Sequence, residues 1–131
     1  MINVKEISLL FEGIEKTSGT KAKRELLELG LNSEYKEDLE KVLHHLFNPM
    51  ISTGISKTSW NKAEIGVNAK FESISELIDY IQKNNTGKNI VVSSIKSFSR
   101  KFEPFEQKIF YYLATKDINI GISTTTVSKY I

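Results

Sequence analysis

Four short stretches of the chain repeat one chemistry, glycine beside Ser or Thr with lysine close by: Ser18-Gly19-Thr20-Lys21, Thr53-Gly54-Ile55-Ser56-Lys57, Asn85-Thr86-Gly87-Lys88 and Gly121-Ile122-Ser123. Glycine lets a backbone approach an anion closely, hydroxyls and N–H groups donate to it, and lysine neutralises it. Three of the stretches read as helix openings, where unpaired N–H groups and the positive end of the helix dipole already favour negative charge. Several such places on one small domain suggest a polyphosphate partner, and nucleic acid is the obvious one. The candidate contacts are Gly19, Thr20, Thr86, Gly87, Gly121 and Ser123, with Lys21, Lys57 and Lys88 as charge partners.

Sorted charge agrees with that expectation. From Glu25 to Glu40 six carboxylates stand against one lysine, whereas Tyr80 to Phe102 holds five cations and no acid. Two further acid-free stretches, Lys16 to Arg24 and Lys41 to Ala63, carry four and three cations. With a net charge of +2, a folded domain of this pattern can have one basic face and one acidic back.

Positioning these residues falls to helices. Val4, Ile7, Leu10, Phe11 and Ile14 form one stripe; Tyr35, Leu39, Val42, Leu43, Leu46 and Phe47 form a second. Between them Thr20 to Gly30 reads as a helix ended by its glycine, and Asn48-Pro49 stops the next. Ser73 and Glu76 make a capping box ahead of Ile74, Leu77, Ile78 and Ile81. Thr86-Gly87 leads into a helix burying Val91, Ile95 and Phe98, and Pro104 suits a first helical position. A short last helix follows Ser123. Met50 to Lys70 lacks a helical period and holds the sole tryptophan, Trp60, expected to plug the core beneath a long loop. The expected fold is all-α, a single compact domain over 1–131 of about seven helices with one long irregular loop.

Other chemistries find little footing. The chain has no cysteine, and its two histidines, His44 and His45, are adjacent, so on a helix they point about 100° apart and cannot share a metal alone. Gly87-Lys88-Asn89 lacks the Ser or Thr and the upstream glycine of a phosphate-cradling P-loop. The longest apolar run, Ile109 to Ala114, is too short to span a membrane, and Lys5 and Glu6 stand where a signal peptide would be apolar. A cytoplasmic binder without metal, catalytic set or cofactor of its own is the expectation.

Two resemblances bear on function. Gly121 to Ile131 resembles the turn and recognition helix of bacterial helix-turn-helix regulators, which would set Thr124, Thr125 and Ser128 against base edges; Asp117 replaces the small apolar residue of that motif. Nearly the whole chain is similar to the N-terminal, all-helical DNA-binding domain of ATP-dependent DNA ligases of the bacteriophage and eukaryotic viral type. The likeness rests on Ser18-Gly19-Thr20-Lys21, Phe47-Asn48-Pro49 with Thr53-Gly54-Ile55-Ser56-Lys57, Thr86-Gly87, and Lys116 to Ser123, in that order. It implies a monomeric domain that grips nicked double-stranded DNA without regard to sequence, serving replication, repair and recombination. The family's Lys-x-Asp-Gly nucleophile is missing, and Lys36-Glu37-Asp38-Leu39 lacks the glycine. In the family the catalytic nucleotidyltransferase domain, which with ATP and Mg²⁺ forms lysyl-AMP, follows the closing helix, and an OB domain completes the enzyme. The resemblance thus implies a non-catalytic part of a longer enzyme. A protein-interaction module is the third expectation.

Overall fold

The computed structural model describes residues 1–131 and contains eight helices and no strand: α1 (Val4–Lys16), α2 (Thr20–Leu31), α3 (Lys36–Phe47), α4 (Lys57–Lys62), α5 (Ile74–Lys83), α6 (Asn89–Ser99), α7 (Pro104–Thr115) and α8 (Thr124–Ser128). None is long and apolar enough to cross a membrane. The sequence stripes are the buried ones: Val4, Ile7, Phe11 and Ile14 of α1, and Leu39, Val42, Leu43 and Leu46 of α3, join one core. The Ser73 hydroxyl accepts from the Glu76 N–H, while the Glu76 carboxylate reaches back to the Glu72 N–H. Glu106 likewise accepts from the Glu103 N–H at the start of α7, one residue before Pro104.

Three expectations need correcting. Gly30 does not end α2; it lies inside the helix, where a Cβ would stand 2.6 Å from a methyl of Leu10 and 2.8 Å from one of Leu39, so its bareness lets α2 press on its neighbours. The segment from Met50 to Lys70 is not wholly irregular, because α4 forms within it, capped by Ser56, whose hydroxyl accepts from the Ser59 N–H. Six residues are too few to display a helical period. Lys96, counted by its position in a basic stretch, is internal.

Lys96 belongs to α6, in which every residue from Val91 to Ser99 is buried. Small serines allow that close enclosure and find partners at once: Ser94 donates to the Ile90 carbonyl, Ser99 to that of Lys96, and Ser97 accepts from the N–H groups of Gly66 and Val67. The Lys96 ammonium donates to the carbonyls of Trp60, Asn61 and Ala63 at 2.9, 3.2 and 3.0 Å. It thereby caps the C-terminal end of α4 with positive charge and fastens the long connection to the core helix. Burial lowers its pKa. Trp60 is buried edge-on to Tyr111, ring centres 5.8 Å apart, and so plugs the core as expected.

α1, α3, α5 and α7 all run towards one end of the molecule. The fully buried His45, near the end of α3, lies 2.7 Å from the Leu113 carbonyl near the end of α7 and 3.0 Å from the Gln82 amide near the end of α5. Nε2 must donate to the carbonyl, leaving Nδ1 to accept from Gln82, so the ring is neutral. Burial, followed by the Lys116 and His44 charges, outweighs the Leu113 hydrogen bond and lowers the pKa of His45 from the ordinary 6.5. The unfolded chain then binds the extra proton first, so stability contributed by neutral His45 is complete above pH 6.5 and declines as pH falls below it. Unfolding free energies from denaturant titrations between mildly alkaline and mildly acidic buffer should fall with a slope approaching about 1.4 kcal/mol per pH unit. His45→Phe should flatten that slope, and an unchanged slope in the variant would rule His45 out as its source.

Candidate nucleic-acid interface

Because the odd-numbered helices end together, the loops that follow them gather there too, and these loops carry the four glycine motifs. Gly19, Gly54, Gly87 and Gly121 all have positive φ, at 90°, 69°, 68° and 82°, a region that residues with a Cβ enter at a cost. Two of the turns meet backbone to backbone. A Cβ on Gly87 would strike the Gly54 carbonyl oxygen, and one on Gly54 would strike the Asn85 carbonyl oxygen.

The other two turns are joined through Lys23 in α2. Its ammonium donates to the Ile14 carbonyl near the end of α1, at 2.5 Å, and to that of Ile120, at 3.0 Å. Lys116 completes the line by donating to the carbonyls of Asn48 and Ile51, both at 2.6 Å, which ties the α7–α8 connection to the loop before Gly54. The four motifs are therefore joined contact to contact into one edge, Gly19 to Gly121 through Lys23, the Gly121 connection to that of Gly54 through Lys116, and Gly54 to Gly87 directly.

The predicted residues take different parts in it. Gly19 is the residue before α2, and Thr20 and Lys21 are exposed in its first turn. Lys88 occupies the equivalent place before α6, exposed, with Thr86 exposed beside a half-buried Gly87. Lys57 is exposed at the start of α4. None of Lys21, Lys57 and Lys88 makes an ion pair; the three pairs present are Lys16–Glu12, Lys41–Asp79 and Lys70–Glu72. Gly121 is exposed, with the Lys23 stem against it. Ser123 is exposed, but its oxygen accepts from the Thr126 N–H and caps α8. Lys23, Lys116 and the Gly54–Gly87 contact went unrecognised in the sequence, where nothing in their spacing connects positions so far apart.

Helix openings separate two of these places from the rest. α1, α3, α5 and α7 each carry an acid in the first turn, namely Glu6, Glu37 with Asp38, Glu76, and Glu106. α2 and α6 have neither acid nor side-chain cap there. The N–H groups of Thr20, Lys21 and Ala22 in α2, and of Asn89 and Ile90 in α6, find no acceptor in the protein. A lysine at such an opening opposes the helix dipole, at about 0.3–1 kcal/mol. Both places combine free donors with uncompensated positive charge, which an anion would satisfy.

Helix-turn-helix geometry is not reproduced. α7 ends at Thr115 and α8 begins at Thr124, so the connection runs from Lys116 to Ser123, where that motif uses a turn of about three or four residues. α8 itself has only 5 residues. Lys36 is exposed in the first turn of α3, and the Asp38 carboxylate accepts from the Asn3 amide, at 2.8 Å. No family model, curated protein or solved structure matches this chain.

Proposed function

We propose that this chain is a DNA-binding domain of the kind found in ATP-dependent DNA ligases. It grips duplex DNA around a nick through the phosphate backbone while catalytic domains of the same polypeptide supply the ATP- and Mg²⁺-dependent sealing of 5′-phosphate to 3′-hydroxyl. One observation carries most of the weight: α2 and α6 alone among the longer helices open without an acid or a cap and present lysine instead. Gathering of the four glycine turns on one edge adds to it, since a strand of DNA offers phosphates in a row.

Phosphate contacts fix register and carry no base information. The 131-residue chain should bind duplexes of unrelated sequence with equal affinity and as a monomer. Neutralising phosphates at Lys21, Lys57 and Lys88 should make log affinity fall by at least about 2.7 per log unit of salt, about 0.9 for each. Fluorescence anisotropy with labelled nicked and intact duplexes measures both properties. Binding confined to one sequence, or indifferent to salt, would remove this function, and a preference for the nicked duplex would favour the ligase assignment over a general duplex binder.

A further inference from the structure

Lys23 and Lys116 resemble surface cations in the sequence, yet each spends its charge on two backbone carbonyls. We infer that both are positioning residues: latches that hold the four glycine turns in one fixed arrangement, with phosphate contact left to the exposed lysines. This inference rests on the DNA-binding reading above.

Three features support it. First, two of the three N–H donors of each ammonium are committed to backbone carbonyls distant in sequence from at least one side of the contact: Lys23 bonds Ile14 and Ile120, and Lys116 bonds Asn48 and Ile51. Lys23 joins the α1–α2 corner to the α7–α8 connection, and Lys116 joins the latter to the α3–α4 connection. Second, the chain has made room for these contacts. The Lys23 stem crosses Gly121 so closely that a Cβ there would lie 2.8 Å from Nζ and 2.9 Å from Cε. Third, Lys116 sits in the left-handed region at φ 60°, one of two non-glycine residues to do so. A side-chain-bearing residue remains in that conformation where its surroundings hold it, and its two carbonyl bonds do so here. Burial also lowers the Lys116 pKa.

Binding a row of phosphates requires their sites at a set spacing, and a loose edge would lose affinity to the ordering of its loops. Latch and phosphate ligand can be told apart by salt. Removing a phosphate-contacting lysine reduces the salt slope by about 0.9, whereas removing a latch lowers affinity at every salt and leaves the slope alone.

The test compares Lys23→Met and Lys23→Arg with the unaltered chain on a labelled nicked duplex over a salt series. Amide hydrogen exchange is followed without DNA. The expected result is an affinity loss of about tenfold for Lys23→Met at unchanged slope, the scale of losing two hydrogen bonds. The amides of Thr17 and Lys23, which bond the Ile14 and Gly19 carbonyls, should exchange faster, and Lys23→Arg, which keeps donors for both carbonyls, should restore both properties. Lys116→Met should do the same for Ile51 and Ile55, whose N–H groups bond the Asn48 carbonyl and the Thr53 hydroxyl. If Lys23→Met fails to fold, Gly121→Ala disturbs the same contact and takes its place. A slope reduced by about 0.9 would make Lys23 a phosphate ligand and overturn the inference, as would unchanged affinity and exchange. If the unaltered chain binds no duplex, the DNA reading falls, and exchange alone then decides whether the latch exists.

Discussion

Alanine at Gly87 should lower the stability of the fold by about 3 kcal/mol, the sum of two independent costs. Its φ of 68° charges any residue with a Cβ about 1–2 kcal/mol. The Cβ would also drive into the Gly54 carbonyl oxygen. Backbone stands on both sides of that contact, so no side chain can swing away, and the two loops must part, at about 1–3 kcal/mol more. Thermal unfolding followed by circular dichroism should show a melting temperature lower by about 10 °C. Gly19→Ala, at φ 90° and ψ 135° with nothing within 4 Å of the added carbon, should show a conformational cost without a clash. A Gly87→Ala loss no larger than about 1–2 kcal/mol, the cost of left-handed backbone, would mean that the close approach of the loops contributes nothing.

Reversing charge at both Lys21 and Lys88 should move affinity and stability in opposite directions. Lys21→Glu with Lys88→Glu removes two cations from the proposed interface and sets two anions against DNA. Affinity should fall by about a hundredfold on every duplex, and the salt slope by about 1.8. The fold should gain, since carboxylates near the openings of α2 and α6 complement the dipoles that lysine opposes, at about 0.3–1 kcal/mol each. Anisotropy and thermal denaturation on the same preparation test the pair of signs. Weaker binding accompanied by a lower melting temperature would point to damaged structure, and undiminished binding would remove both lysines from the interface.

How much of this was readable beforehand depends on how local each signal is. The stripes of α1, α3, α5 and α7 repeat within a few residues, and the serine caps and Pro104 act on the next turn, so sequence alone discloses them. α4 is too short to repeat, and Gly30 looks like a stop until Leu10 and Leu39 are seen against it. α6 misleads for a different reason: serines and a lysine signify surface unless their partners are known, and those of Lys96 and Ser97 lie between Trp60 and Val67. The glycine motifs were legible as candidate phosphate places, one by one. Their joining into a single edge was not, because it is set by contacts such as Gly54 with Gly87 and Lys23 with Ile120, which no periodicity announces.

The lysine contacts that knit this edge span long loops of chain: 97 residues from Lys23 to Ile120, and 68 and 65 from Lys116 to Asn48 and Ile51. Closing such loops is entropically slow, whereas the individual helices can form from local contacts. The edge is thus assembled only when the first and last thirds of the chain have docked. A ligand of the edge consequently binds the native state alone and raises its stability with concentration. Unfolding midpoints measured with and without such a ligand give its affinity without any label.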